Sequence, residues 1–501
     1  TKFDTITQIA FLRSSPRKAD LGWHGIVPSP LWGYNVHTSP SAYCQFQLDM
    51  NQLSCDSTFM EMDYAGLFAG AVWRTPPGKR GVFFNSRLVE SGGGGISVRG
   101  LGGDRAGEMR ITRFLRNSAV SVDEIVASAA DRTAGSVSGL DIVAIQDTTS
   151  VRVSDDKTEL VLHPTIAVER ASGAILGLVH AEILARHGGL RDQRRQRAFD
   201  DKQSRRWLTG CEHAAGLLAS GAASVTVVAD REGDIYEDFA LRPAGVELLI
   251  RAGQDRRLVD GGKLFAHTAA LPQIGDMQVD LAAAPGRAAR QAQLTLRAGA
   301  VTIERPKTRT GRQDLPKTVT LTMLEAIELN SPSGAAQAHW RLLTSLPVCT
   351  PEDARAIVQL YRQRWTIEQV FRTLKTRGFD IERLRIADGG PFEKLLAAAL
   401  VAAITVMQLV RERDGVARRP MADAFDRADQ PALEAVCASL EGKTEKQKNP
   451  HPKGSLAYAA WVFARLGGWT GYYGKPGPIV MFKGLIRFND IKHGMGMIRN
   501  V

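Results

Sequence analysis

Leu140-Asp141-Ile142-Val143-Ala144-Ile145-Gln146-Asp147 reads as a buried β-strand that ends in an acid, with Thr148 and Thr149 directly after it. Val225-Thr226-Val227-Val228-Ala229-Asp230 repeats the pattern: a β-branched strand again delivers a carboxylate at its C-terminal end. Between them, Leu160-Val161-Leu162, Ile166-Ala167-Val168 and the run from Ala174 to His180 continue a sheet pattern. An Asp after a buried strand is commonly only a turn residue or a helix cap. Two such acids suggest a site.

Further out, residues 244 to 346 alternate as strands do, for example Ala292-Gln293-Leu294-Thr295-Leu296-Arg297 and Val319-Thr320-Leu321-Thr322-Met323, which predicts a β-rich insertion. After 350 the pattern is helical, with Thr350 or Pro351 opening a helix. That helix carries Tyr361-Arg362-Gln363-Arg364-Trp365-Thr366-Ile367-Glu368-Gln369-Val370-Phe371-Arg372-Thr373-Leu374-Lys375. At roughly 100° per residue, Tyr361, Arg364, Glu368 and Lys375 share one arc of about 60°, while Leu360, Ile367, Val370, Phe371 and Leu374 gather on another side. The bland reading is a solvated charged face. Exposed helices, however, usually interleave Glu and Lys at i,i+4, whereas this stripe holds one acid among cations and a Tyr. Glu368 therefore reads as a metal-binding or acid/base carboxylate beside groups suited to a polyanion.

Composition bounds the alternatives. With 501 residues, 44% of them hydrophobic, the chain can bury a large core and is not a disordered chain. A net charge of +11, from 64 Lys and Arg against 53 Asp and Glu, favours an anionic partner. Cys44, Cys55, Cys211, Cys349 and Cys437 are odd in number and lack CxxC spacing, so neither a disulfide scaffold nor a thiolate zinc site is indicated and reduced thiols in a cytoplasm are expected. Cys211 and His213 lie close in sequence but read as ordinary packing. Leu395 to Val410 is too short to cross a bilayer comfortably and reads as a buried helix, so no membrane association is expected. The first residues lack the basic flank and apolar run of a signal peptide.

Three segments in order, Ile145-Gln146-Asp147-Thr148-Thr149-Ser150, Val228-Ala229-Asp230-Arg231-Glu232-Gly233-Asp234-Ile235-Tyr236 and Tyr361-x2-Arg364-x3-Glu368-x6-Lys375, resemble the DDE transposases of the insertion-sequence-four family, Tn-five-type branch. The last matches that family's Tyr-Arg-Glu-Lys signature at all four positions, and Trp340-Arg341-Leu342-Leu343-Thr344-Ser345 is similar to the family's preceding segment. The resemblance runs from about Gly107 to Val410, with a weaker continuation from Leu466 to Gly484. It implies an α/β fold: a ribonuclease-H-like mixed sheet flanked by helices, with a β-rich insertion and helical N- and C-terminal segments. It also implies that Asp147, Asp230 and Glu368 are catalytic and bind two Mg2+ or Mn2+ ions. Tyr361, Arg364 and Lys375 would then hold phosphates of double-stranded DNA, and Trp340 would stack on a base extruded from the duplex.

The implied function is cut-and-paste transposition: cleavage at transposon ends, a hairpin intermediate and strand transfer into target DNA by a synaptic homodimer in the bacterial cytoplasm, at the nucleoid. A repurposed, non-catalytic DNA-binding relative and a stand-alone nuclease of the same core fold are the other readings. The expected division is an atypical segment at 1–84, a partial helical DNA-binding region at 85–136, and a catalytic core at 137–243 and 347–415. The β-rich insertion spans 244–346 and a dimerisation-like segment 416–501. Gly92 to Gly95 mark a break, Arg110, Arg113 and Arg116 lie at i,i+3 spacing, and Ser121 is a candidate helix cap. Arg186 to Arg206 is a basic stretch that is either a solvated loop or a DNA contact, and Gly442 to Gly454 reads as an exposed linker. Asp234 and Glu237, near Asp230, could support that acid or merely start a helix, and the helix-start reading is favoured.

Overall fold

The alternation of side chains along the first acid-bearing strand shows why it must lie inside. Val143 and Ile145 are buried on one face, Ile142 and Ala144 on the other, and each pair belongs to a separate apolar core. A strand covered on both sides has no reason to alternate polar and apolar residues, which explains the unbroken apolar run. Each Ile or Val removed from water contributes about 1.5–3 kcal/mol. The computed structural model describes residues 105–152, 159–185, 203–282, 288–307, 315–332, 336–376, 379–383 and 389–499. The expectations for residues 1–84, for Gly92 to Gly95 and for most of Arg186 to Arg206 fall outside the described residues.

The described strands are β1 (Asp141–Gln146), β2 (Thr149–Arg152), β3 (Glu159–Glu169), β4 (Ile175–Ala185), β5 (Ser224–Ala229), β6 (Val246–Arg251), β7 (Gln273–Leu281), β8 (Arg290–Glu304), β9 (Thr318–Ile327) and β10 (His339–Thr344). They form one mixed sheet in the order β2-β3-β1-β5-β6-β10-β9-β8-β7, with β4 on the other edge of β3. β1 is antiparallel to β3 and parallel to β5, with Ile142 opposite both Glu169 and Val225, and β5 is parallel to β6. Leu160–Leu162 and Ile166–Val168, which read as separate strands, lie on the single strand β3. The β-rich stretch after 244 is not a separate sheet: β10 pairs with β6 on one edge and with β9 on the other, so β7, β8 and β9 prolong the central sheet.

Helices cover both faces. α1 (Arg105–Leu115) and α2 (Val122–Ala134) precede the sheet, and α2 is closed by a capping box in which the Ser121 side chain accepts from Glu124 N while the Glu124 side chain accepts from Ser121 N. α3 (Arg205–Ala219) lies against the face carrying Ile142 and Ala144, whereas α6 (Pro351–Arg362) and α7 (Trp365–Thr376) bury Ile357, Val358, Ile367 and Val370 in the core that holds Val143 and Ile145. The short helices α4 (Tyr236–Ala240) and α5 (Leu264–Thr268) fall between these.

α8 (Gly389–Glu412) is longer than the apolar stretch read from the sequence. By length and composition alone it could cross a membrane, but 78% of its most apolar window is buried, against β4, α2, α7 and the later helices. α9 (Gln430–Leu440), α10 (Leu456–Leu466) and α11 (Pro478–Arg499) complete the described chain. Residues 442–454 are largely exposed, as read, yet not a featureless link: Gly442 N donates to Gln447 O, and Asn449 Nδ2 reaches Tyr458 O at 3.2 Å.

Candidate active site

Asp147 sits where β1 stops. β1 runs along residues 165–169 of β3 and β2 along residues 159–162 of the same edge, so the chain bends between them at Asp147 and Thr148. Thr148 N donates to Asp147 Oδ1 at 2.8 Å. On the neighbouring parallel strand, Asp230 follows β5 and caps the 3-10 turn Arg231–Gly233, accepting from Glu232 N at 2.8 Å through its own Oδ1. The turn-residue reading of these acids is thus half of the truth: each spends one oxygen on its local turn. β1 and β5 are parallel neighbours, so both carboxylates are delivered to the same end of the sheet.

The stretch expected to form one helix from Tyr361 to Lys375 is two. α6 ends at Arg362 and α7 begins at Trp365, joined by a turn in which Gln363 N bonds Leu360 O, Arg364 N bonds Tyr361 O and Thr366 N bonds Gln363 O. These i to i−3 bonds replace the α-helical i−4 pattern and take Arg364 out of both helices. From this turn Arg364 reaches a distant strand end: Nη1 donates to Asp147 Oδ2 at 2.7 Å while Nη2 donates to Glu368 Oε1 at 2.7 Å. Gln363 Nε2 is held in addition by Arg170 O at 2.9 Å.

The expected open stripe is therefore largely enclosed. Tyr361 is buried, and its phenol accepts from both Arg364 and Arg251. The guanidinium of Arg364 lies 5.2 Å from the exposed Trp365 ring, and its Nε–H finds no partner among the described residues. Lys375 Nζ donates to Ser150 O on β2 at 2.5 Å and lies 3.4 Å from Glu382. Trp340, on β10, is half-buried with its ring 6.3 Å from that of Tyr361.

Charge is concentrated here. Burial pushes the Asp147 carboxyl up to about 7; Arg364 opposes this, while Asp230 and Glu368 add to it. Arg364 is held above the usual guanidinium range although burial acts the other way, because Tyr361, Asp147 and Glu368 favour its charge. Burial raises the Tyr361 phenol against the pull of Arg364 and Arg251, and lowers Arg251. Arg251 was not among the residues picked out from sequence. Its signal was available, because it ends a buried strand beside Asp230 just as the acids end theirs.

Other expectations separate cleanly. Glu237 does lie in the first turn of α4, and Asp234 just before that helix; both are buried, and Asp234 pairs with Arg256 and accepts from Gly253 N and Gln254 N at 2.8 and 2.7 Å. Cys211 and His213 turn to different neighbours: Gln146 Nε2 donates to Cys211 Sγ at 3.4 Å, whereas His213 stacks on His180 with ring centres 3.8 Å apart.

Could this site hold a divalent cation? Its donor set is all carboxylate oxygen, which suits Mg2+ or Mn2+. The mutual repulsion that helps raise Asp147 is what a bound cation relieves. Among the described residues no three acidic, His or Cys side chains lie close enough to enclose one ion as they stand, and a guanidinium bridges two of the three acids. The carboxylate oxygens suit such an ion in chemical kind, and Arg364 stands between two of them as a resident counter-ion.

Tyr361, Arg364, Glu368, Lys375, Trp340 and Asp230 all lie in the stretch that matches a known family, and Asp147 is joined to them by the sheet. Residues 190–404 match the family model described as transposase DDE domain.

Proposed function

We propose that the chain is a metal-dependent DNA transposase of the insertion-sequence-four, Tn-five-type branch, which cuts at element ends by water attack and joins the freed 3′ hydroxyl to target DNA. The observation that supports this reading is that Arg364 bridges Asp147 and Glu368 while Asp230, at the end of the neighbouring parallel strand, is close enough to act on the charge of Asp147. Two Mg2+ or Mn2+ ions held there by the three acids would activate the attacking oxygen and steady the leaving oxygen.

The chain's own residues do the rest. Asp147 and Asp230 keep their orientation through their turn hydrogen bonds. Arg364 and Lys375, now paired inside the protein, are the cations next to the acids and would meet phosphates of the transposon end. Tyr361 keeps Arg364 and Arg251 side by side for the same task. Trp340 would stack on an extruded base. In this reading residues 85–136 contribute to DNA binding, residues 416–501 to a synaptic dimer, and the protein works on the nucleoid in the bacterial cytoplasm by a cut-and-paste route with a hairpin intermediate.

The test is incubation with DNA carrying the flanking inverted repeats and Mg2+, scored for end cleavage and strand transfer, with Glu368→Ala as control. Cleavage and joining that depend on both the repeats and Glu368 are expected. Binding without cleavage would favour a non-catalytic DNA-binding relative, and cleavage indifferent to the repeats a stand-alone nuclease.

A further inference from the structure

Gln146 and Thr148 flank Asp147, and one imidazole grips both. His163, on β3 and fully buried, places Nε2 3.1 Å from Gln146 Oε1 and Nδ1 2.9 Å from Thr148 Oγ1. The hydrogen bonds of the neighbours set the direction of these contacts. Gln146 Nε2 donates to Cys211 Sγ, so its Oε1 is an acceptor and His163 must carry its proton on Nε2. Nδ1 is then an acceptor, and the Thr148 hydroxyl donates to it. Arg206 completes the line from outside, with Nε and Nη2 each 3.4 Å from Thr148 Oγ1. A chain of donors thus runs from a guanidinium near the surface to a buried thiol, through the two neighbours of Asp147.

The pleat gives this a direction in space. Residues two apart on a strand face the same way and the residue between faces the opposite way. Gln146 reaches Cys211 on α3, so the grip is on the α3 side, while Asp147 accepts from Arg364, which also donates to Glu368 on α7. Space is reserved for the grip: a Cβ on Gly210 would stand 2.4 Å from Gln146 Oε1. Trp207 packs edge-on against the imidazole with ring centres 4.5 Å apart and makes none of these hydrogen bonds, which separates packing from positioning.

We propose that His163 is a positioning residue for Asp147: its imidazole ties together the side chains on both sides of that acid and so fixes the strand end that presents the carboxylate to a divalent cation. This rests on the metal-site reading given above. A merely structural histidine would contribute to stability and leave the carboxylate's ligand properties unchanged.

The experiment is Mn2+ binding by isothermal titration calorimetry on the full chain, alongside thermal unfolding in EDTA. His163→Phe keeps the ring and removes both hydrogen bonds, Thr148→Val removes one, and Trp207→Phe disturbs the same packing without touching the chain of donors. Loss of a partner that orients a metal ligand weakens metal binding about tenfold to a hundredfold, and His163→Phe is expected in that range. Thr148→Val is expected to weaken binding less, and Trp207→Phe to lower the unfolding temperature with Mn2+ affinity unchanged. Unaltered Mn2+ affinity in His163→Phe overturns the proposal, as does an equal loss in Trp207→Phe. If His163→Phe does not fold, unaltered affinity in Thr148→Val overturns it instead. An unsubstituted chain that takes up no Mn2+ overturns the metal-site reading and this one together, whereas an unsubstituted chain that binds while His163→Phe binds equally well overturns this one alone.

Discussion

Replacing Arg364 by Met would leave Asp147 and Glu368 without their shared cation while keeping most of the side-chain volume. The Arg364 side chain is 9% exposed and that of Asp147 13%, so this pair is poorly screened, whereas Glu368 at 31% is partly wetted. Unit charges about 4 Å apart attract by about 4 kcal/mol at an effective dielectric near 20. Much of that is offset by desolvation, but removing one partner of a buried pair still costs about 3–5 kcal/mol. Weighting Asp147 fully and Glu368 as a surface pair gives a loss of roughly 3–4 kcal/mol, or about 5–10 °C in unfolding temperature for a domain of this size. Asp147 titrates at about 7 even beside Arg364, so the deficit should be largest above that pH and shrink below it, where the carboxyl takes up a proton and needs no cation. The assay is calorimetric unfolding of both proteins in EDTA and in saturating Mn2+. Since a cation can replace the guanidinium, Mn2+ should stabilise Arg364→Met more than the unsubstituted chain; at a hundredfold excess over its Kd a ligand adds about 2.7 kcal/mol. Equal stability in EDTA, or an equal Mn2+ increment in both proteins, would refute the view of Arg364 as a resident counter-ion.

Further predictions concern the frame around the site. Burial pushes the Glu325 carboxyl up, but bonds from His339, Arg297 and Thr268 outweigh it and hold it at about 2, so its stabilising effect is present above the ordinary carboxylate range and fades as pH falls towards 2. Glu325→Gln should cost on the order of 2 kcal/mol at pH 7 in urea unfolding, with the gap to the unsubstituted chain closing below pH 3. Gly210→Ala should cost about 1–3 kcal/mol, because the new methyl would collide with Gln146 Oε1 and come within 2.8 Å of Thr165 Oγ1; unchanged urea stability would show that Gln146 can move aside freely. Ser121→Ala removes one arm of the α2 capping box and should lower stability by about 1 kcal/mol, read by the same unfolding curves.

Much of the site was legible because local chemistry and global position coincide there. Asp147 and Asp230 announce themselves as acids at the ends of strands buried on both faces, and such strands must be central. Thr350 was recognisable as a helix start, and its side chain does accept from Asp353 N in a capping box. The break at Gln363 and Arg364 was invisible, since periodicity carries no record of a guanidinium drawn towards an acid on a distant strand. For the same reason Tyr361, Arg364 and Lys375 looked like a free phosphate-seeking stripe, although in the fold they already have partners. The burial of Asp234 was not legible because it depends on Arg256, a partner that no local pattern announces. His163 lay inside an apolar run with nothing in its immediate sequence to connect it to Asp147.

The sharing of β10 between β6 and β9 has a mechanical consequence. Hydrogen bonds run without interruption from the strand that bears Asp147, through β5 and β6, across β10 and out to β7. A load applied to the outer strands is therefore borne by the backbone ladder of the acid-bearing strands, not by a hinge. Twisting or shearing the insertion should alter amide exchange in β6 and β5, and trimming β7 to β9 would expose an unpaired edge on β10 next to Trp340. The outer half of the sheet is in this sense a buttress: whatever holds it also stiffens the floor on which the carboxylates stand.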